Sequence, residues 1–256
     1  MGGPGDDLAL ALELADLADA ITRSRFRAAD LVIEHKPDLT PVTEADRAVE
    51  RALRARILDA RPHDAVIGEE YGASPDRGRR CWFLDPIDGT KSYVRGMPAF
   101  ATLIALSVED ELSLGVATAP ALHRRWWASR GAGAYADGRA IQVSRVGELA
   151  DAQLGWGGIE DWDEVGRLAD LLALGRICWR TQSVGDFWQY MLVAEGVAEI
   201  ALDPAVSAWD VAAVQVIVEE AGGRFSDLAG VRRVDGGDAI ATNGLLHDAA
   251  LAIVGR

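Results

Sequence analysis

The run Trp82-Phe83-Leu84-Asp85-Pro86-Ile87-Asp88-Gly89-Thr90 constrains this chain more than any other stretch. Residues 81–84 are apolar and aromatic, the composition of a buried strand. Two carboxylates follow at once, with a proline between them. Pro86 fixes its own φ and holds Asp85 extended, so the strand is expected to end in a stiff turn. Gly89 allows close backbone approach, and Thr90 suits the first turn of a helix. The product is two carboxylates at a strand end beside free backbone N–H groups. Hard cations take carboxylate and carbonyl oxygens, and an oxyanion takes such N–H groups. Metal plus phosphate is the chemical reading; the bland one is an Asx-rich surface turn.

The rest of the chain decides between them. No apolar run in the 256 residues approaches the ~20 residues of a membrane span. The start, Met1-Gly2-Gly3-Pro4-Gly5-Asp6, lacks the basic segment and apolar core of a secretion signal. Cys81 and Cys178 each sit in an apolar segment and read as reduced thiols, so a cytoplasmic protein is expected. The formal net charge of −14 opposes nucleic acid and anionic membrane surfaces as partners. It would also repel a phosphorylated substrate unless bound cations invert the local field.

In the N-terminal half, Leu10, Leu14, Leu17 and Ile21 recur at helical spacing over 6–27. Two prolines, Pro37 and Pro41, make 36–42 a loop feeding a helix whose buried stripe is Val49, Leu53 and Ile57. Thr43 and Asp46 have capping-box spacing, which also aims a carboxylate at whatever lies off that helix end. Residues 64–67 read as a strand, followed by Gly68-Glu69-Glu70; an inward-facing glutamate there needs a metal or a cationic partner. Residues 72–80 form a polar loop and 91–97 an irregular connection. Strands are expected at 100–108 and 111–119 as a hairpin, then at 124–129 and 140–144. Gly131-Ala132-Gly133 is too short for a dinucleotide loop and reads as a turn. Helices followed by a run of strands make this half an α+β layer with a largely antiparallel sheet.

From about residue 152 the rhythm becomes α/β: strand 152–156, helix 164–173, strand 177–180, helix 185–195, strand 199–202 and helix 208–221. Strands near Arg224 and Ala239 and a helix from Leu245 finish the chain. Asp210 opens the apolar 208–221 helix, either as a dipole-favoured acid or as a ligand delivered to the first half's carboxylates. Ser183-Val184-Gly185-Asp186 opens another helix. His35, His63, His123 and His247 lack zinc-type spacing, and there is no Walker loop, Gly-x-Ser-x-Gly elbow or Cys-x-x-Cys.

Five motifs thus stand in order: Pro-Val-Thr-x-Ala-Asp (41–46), Gly-Glu-Glu (68–70), Asp-Pro-Ile-Asp-Gly-Thr (85–90), Gly-Asp (185–186) and Trp-Asp-Val-Ala-Ala (209–213). Together they resemble the inositol monophosphatase family of metal-dependent, lithium-sensitive phosphomonoesterases. Within it the chain is most similar to actinobacterial-type histidinol-phosphate phosphatases, through Lys-Pro-Asp-Leu-Thr-Pro-Val-Thr (36–43), Ala-Pro-Ala-Leu-x-Arg-Arg-Trp-Trp (119–127) and Ala-Thr-Asn-Gly-Leu-Leu-His (241–247).

The resemblance implies a layered αβαβα sandwich. Its α+β half at 1–148 would carry most metal ligands, and its α/β half at 149–256 the substrate contacts and Asp210. It implies two to three Mg2+ ions, replaceable by Mn2+ and inhibited against by Li+, held by Glu69, Asp85, the Ile87 carbonyl, Asp88 and Asp210. Asp46 and Thr90 would orient the attacking water, with Glu69 in the catalytic set, and the Gly89 and Thr90 amides would hold phosphate. Asp88 and Asp210 would also border the substrate. Phosphoryl transfer is mostly positioning and charge neutralisation, so the lack of a catalytic His or Cys fits.

Gly185, Asp186 and Asp203 fall where the family contacts the alcohol, with Arg180 and Gln182 just upstream. Acids there suit a cationic amine or imidazole better than a neutral polyol, so histidinol phosphate is the expected substrate. An inositol, nucleotide or sugar phosphate is the alternative. A haloacid-dehalogenase-type reading fails on spacing, because Asp85 and Asp88 are three apart rather than two. A non-enzymatic regulatory protein on the same scaffold is disfavoured by the charge and the intact ligand set. A homodimer is what the resemblance implies.

Overall fold

The computed structural model describes residues 4–37, 39–75 and 78–255. Asp38 of the 36–43 motif, Asp76 and Arg77 of the polar loop, and the 1–3 start lie outside them. Helix α1 (Pro4–Arg25) is followed by a hairpin of β1 (Ile33–His35) and β2 (Pro41–Thr43), then by α2 (Glu44–Ala60). Thr43 caps α2 as expected: its Oγ1 accepts the Ala45 N–H at 3.1 Å, and Oδ2 of Asp46 accepts the Thr43 N–H at 2.8 Å.

Next come β3 (Ala65–Gly68), β4 (Gly72–Ala73), β5 (Arg80–Asp88), the short α3 (Thr90–Val94), β6 (Ala101–Val108), β7 (Glu111–Ala119), β8 (Arg124–Ser129), β9 (Ala134–Ala136) and β10 (Arg139–Ile141). They form an eight-stranded sheet in the order β10-β9-β8-β7-β6-β5-β3-β4, antiparallel except for the β3/β5 pair. Side chains alternate along β5. Trp82 and Leu84 pack with Leu14 of α1 and Leu53 of α2, while Cys81 and Phe83 face the opposite layer. Asp85 continues that second face.

Several sequence expectations need correcting here: residues 41 and 42, expected as loop, belong to β2 and pair with β1, and β4 opens the segment expected as the 72–80 loop. Strand β5 does not stop at Leu84. Pro86 has no N–H to donate, so the β5/β6 ladder skips, its register shifts between Asp85 and Asp88, and the strand resumes. The turn comes at Gly89, whose φ of +81° is left-handed. The 91–97 connection is partly helical, as α3.

The second sheet has the order β12-β11-β13-β15-β14, built from β11 (Gln153–Trp156), β12 (Arg180–Ser183), β13 (Ile200–Asp203), β14 (Arg224–Ser226) and β15 (Ala239–Thr242). Its helices are α4 (Ile159–Glu164), α5 (Leu168–Ile177), α6 (Asp186–Ala194), α7 (Ala208–Glu220) and α8 (His247–Val254). The helix expected at 164–173 is in fact two, broken by Gly166 at φ +72°. The strand expected at 177–180 is β12 instead, with Ile177 closing α5.

Helices α6 and α7 are sandwiched between the two sheets. Phe187, Met191, Val214 and Ile217 share one core with Ala105 and Trp126 on one side and Ala201, Phe225 and Ala241 on the other. The far face of the second sheet is covered by Trp162, Leu171, Leu174, Ala250 and Val254 of α4, α5 and α8. The layers therefore run αβαβα, as expected. No helix among the described residues is long and apolar enough to cross a membrane.

Candidate active site

Asp85, Asp88 and Asp210 come together where β5 ends and α7 begins. Each offers a carboxylate oxygen within 4.8 Å of the other two. Asp85 is buried, and its Oδ1 has no hydrogen-bond partner. Asp88 has Oδ2 tied to the Phe187 N–H at 2.5 Å. Asp210 has Oδ2 tied to the Ser207 N–H at 2.7 Å. Asp210 is thus the acid of a second capping box, repeating on α7 what Asp46 does on α2.

Burial pushes all three carboxyls up, Asp210 to about 6 and Asp85 and Asp88 well above the usual range. Repulsion adds to it: Glu69, Asp88 and Asp210 act on Asp85, and Asp186 and Asp210 on Asp88. Repelling carboxylates around an orphaned buried oxygen fit a hard cation, and an all-oxygen donor set suits Mg2+ rather than zinc.

Glu69 follows β3 beside this trio, where Oε1 accepts Nζ of Lys36 at 2.6 Å. Lys36 also pairs with Glu70 at 2.7 Å. Burial opposes the lysine's charge, yet the two glutamates prevail and hold it above its usual range. The Glu69-Glu70 turn is gripped from below by fully buried Glu50, which accepts the Glu70 N–H at 2.6 Å and the Tyr71 N–H at 3.2 Å. Gly68 makes this possible, since a Cβ there would stand 2.1 Å from Oε1 of Glu50.

Thr90 opens α3 with its hydroxyl 2.8 Å from the Ile87 carbonyl and 3.2 Å from Oδ1 of Asp46. Burial raises Asp46 to about 6, against the pull of its bonds to Thr43. A Cβ on Gly89 would meet the Ala99 carbonyl at 2.9 Å and Oδ2 of Asp186 at 3.1 Å, so only glycine fits.

A cavity of about 690 Å3 opens from these groups toward the second sheet. Asp186, at φ +51°, and Asp203, at the end of β13, line its far wall with Gly157, Gly185 and Tyr190. Burial lifts Asp186 to about 6, opposed by the charge of Lys91. Asp203 rises to about 7 by burial, though Tyr190 OH donates to its Oδ2 at 2.7 Å and Gln189 bonds the same oxygen.

Of the residues singled out by sequence, Arg180 and Gln182 are not brought here. Arg180 is exposed at the start of β12, while the cavity is lined from Ser183 at the strand's other end. Gln182 accepts the Gln153 side-chain amide at 3.0 Å. Lys36 opens the 36–43 motif, which assigns it no role, and Glu50 and Ser207 were not anticipated. Of the last two only Ser207 carried a readable signal, three residues before Asp210 as Thr43 is before Asp46.

The family description matching this chain is the inositol monophosphatase family, over residues 6–255. A histidinol-phosphatase of Mycobacterium tuberculosis is 52% identical over 251 residues, covering 96% of each chain. One of Streptomyces coelicolor is 48% identical over 261 residues, covering 98% of this chain and 97% of its own. Among solved structures, an inositol monophosphatase from Zymomonas mobilis superimposes with a TM-score of 0.88 at 32% identity, covering 99% of both chains.

Proposed function

This chain belongs to the inositol monophosphatase family and is a phosphoric monoester hydrolase, and on that premise we propose that it hydrolyses L-histidinol phosphate to L-histidinol and inorganic phosphate. The observation that carries the substrate is the far wall of the cavity. Among the described lining residues, Glu160, Asp161, Asp186 and Asp203 add four acids beyond the metal-type residues, against two lysines, Lys91 and Lys36, the latter paired with Glu69 and Glu70. A leaving alcohol bearing an amine and an imidazole complements that wall; a neutral polyol does not.

Asp85, Asp88, Asp210 and the Ile87 carbonyl would hold Mg2+, joined by Glu69 once it exchanges Lys36 for the cation. When bound there, such ions would supply charge neutralisation for the phosphoryl group and would lower the pKa of a water. The chain's own residues do the rest. The Gly89 and Thr90 N–H groups hold phosphate oxygens at the head of α3. The Thr90 hydroxyl accepts a hydrogen bond from water and passes its own proton toward Oδ1 of Asp46, whose raised pKa suits a base near neutrality. Water oxygen bonds to phosphorus as its proton passes by way of Thr90 to Asp46, the P–O bond to the alcohol breaks, and the alcohol oxygen takes a proton from solvent while Asp46 returns its own to solvent. Asp186 and Asp203 grip the alcohol's cationic end; Arg180, exposed at the start of β12, is not among the contacts.

The same reading carries two halves, 1–148 and 149–256, in a cytoplasmic homodimer serving histidine biosynthesis, with Mn2+ able to replace Mg2+ and Li+ inhibitory. The experiment is phosphate release with and without Mg2+ over histidinol phosphate, inositol 1-phosphate, a nucleoside monophosphate and a sugar phosphate. The highest kcat/KM for histidinol phosphate is expected. A clear preference for inositol phosphate would replace this substrate and leave the phosphatase chemistry standing.

A further inference from the structure

The Arg124-Arg125-Trp126-Trp127 segment has no part in the chemistry above, yet it grips the helix that completes the site. Trp126, on β8 of the first sheet, is fully buried. Its ring lies 6.0 Å from that of Phe187, in the first turn of α6. Its indole N–H donates to Oε1 of Glu195, the C-cap of the same helix. Arg124 braces the arrangement: its guanidinium lies 4.7 Å over the Trp126 ring and donates to Glu195 at 2.8 Å and Asp137 at 2.5 Å. One side chain of the N-terminal half thus holds α6 at both ends, roughly 12 Å apart at 1.5 Å per residue.

The held end matters to the site. The backbone N–H of Phe187 donates to Oδ2 of Asp88, whose carboxylate also reaches those of Asp85 and Asp210. The residue before it, Asp186, has its carboxylate against Gly89. It takes the left-handed φ of +51°, a conformation that a non-glycine residue keeps only where its surroundings hold it. Sliding α6 along its axis would move the Asp88 partner and the Asp186 carboxylate together.

We propose that Trp126 is a positioning residue, locking α6 in the axial register at which Phe187 N–H orients Asp88 and Asp186 faces the substrate. The indole–Glu195 bond sets that register, and the Trp126–Phe187 contact transmits it. The substrate arm rests on the substrate reading above, and the Asp88 arm on its Mg2+ site.

The test cuts the link from either side. Trp126→Phe keeps an aromatic ring against Phe187 but loses the N–H donor, and Glu195→Ala removes the acceptor. Each is expected to raise KM for histidinol phosphate and the Mg2+ concentration for half-maximal activity roughly tenfold, with a smaller change in kcat, as a misplacement well below 1 Å would. The double variant should be no worse than Glu195→Ala alone, because that change already removes the indole's acceptor together with the Arg124 partner. Glu195→Gln, which keeps an oxygen acceptor for the indole, should recover most of the loss. If both singles lower the melting temperature while KM and Mg2+ half-saturation stay within twofold of the parent, Trp126 is core packing and the proposal is overturned. Should Trp126→Phe fail to fold, the Glu195→Ala and Glu195→Gln pair decides on the same readouts. A parent enzyme with no preference for histidinol phosphate would overturn the substrate reading, while the Mg2+ readout would still decide the role of Trp126.

Discussion

The Thr90 hydroxyl stands 3.2 Å from Oδ1 of Asp46, joining the first residue of α3 to the first turn of α2. The same hydroxyl is 2.8 Å from the Ile87 carbonyl, so it has an acceptor whether or not Asp46 is protonated. Its own lone pairs stay available to a water. Thr90→Val removes this relay while keeping the side chain's shape. It should lower kcat at least tenfold with KM within about threefold, because an interaction made chiefly in the transition state shows in kcat. A rise in KM alone would make Thr90 a phosphate-binding residue only. Asp46→Asn should show the same kinetic defect plus ~0.5–1 kcal/mol of lost stability from the weakened cap, which a thermal melt separates.

Asp85→Asn and Asp210→Asn each withdraw one charge from the trio, from opposite halves of the chain. Both should fold, since the parent carboxylates repel one another in the absence of a cation. Turnover should fall more than ~100-fold in each, through loss of both charge neutralisation and water activation. Folded variants with near-parent Mg2+-dependent activity would dissolve the idea of one shared site.

How much of this was legible from sequence depends on whether a local rule or a tertiary meeting sets each feature. The Thr43–Asp46 box and the β6/β7 hairpin are local, so periodicity and capping rules found them. The Asp85-to-Thr90 run was legible because strand, proline, glycine and two acids carry the chemistry within one segment. Gly166 was passed over because the apolar spacing on either side of it mimics a single helix. β12 was displaced because an edge strand with mostly exposed polar residues has no apolar alternation to read. The capture of Glu69 by Lys36 and the Trp126–Glu195 bond join residues 33 and 69 positions apart, and no spacing rule reaches that far.

Mg2+ should stabilise the fold most at high pH. The folded-state pKa values of Asp85, Asp88 and Asp210 lie above the ordinary carboxylate value near 3.8. Between the two values the folded protein holds protons that the unfolded chain has lost, so stability is greatest in acid and falls as pH rises through the folded pKa, about 6 for Asp210. A cation relieves the repulsion only where the carboxylates are ionised. At a hundredfold excess over Kd, Mg2+ should raise Tm by roughly 5–10 °C at pH 8 and much less at pH 5. Equal shifts at both values would show that the ion binds elsewhere.

His247, which does not line the cavity, supplies the opposite pH dependence. It is fully buried, with Nε2 2.9 Å from the Ser226 hydroxyl and Nδ1 3.1 Å from the Thr242 hydroxyl. Burial first, and then the charge of Arg224, depress its pKa to about 4 from 6.5. The neutral ring is therefore favoured in the fold, and its stabilisation is fully present above pH 6.5 and lost as pH falls toward 4. The loss is about 3 kcal/mol at 1.36 kcal/mol per unit. His247→Gln does not titrate there. Denaturant melts should show the parent's advantage over this variant shrinking across that window, and a constant difference would mean the ring is already protonated in the fold.

The sharpest test of the substrate is Asp186→Asn. Asparagine tolerates the left-handed backbone as aspartate does, so the φ of +51° at the head of α6 should survive the change. What is lost is one negative charge on the far wall of the cavity, with little change in shape. A charge-assisted hydrogen bond to a desolvated ammonium or imidazolium is worth ~1.5–3 kcal/mol, a factor of about ten to a hundred. The variant's kcat/KM for histidinol phosphate should fall by that factor, while that for p-nitrophenyl phosphate, whose leaving group carries no cation, should barely move. Asp186 is not one of the trio, so the variant should keep its Mg2+ site, with at most a few-fold weaker binding from the negative charge lost near Asp88, and titration calorimetry checks this independently. Equal losses on both substrates at unchanged Mg2+ affinity would make Asp186 a structural helix-start residue and would leave Asp203 to carry the recognition of a cation.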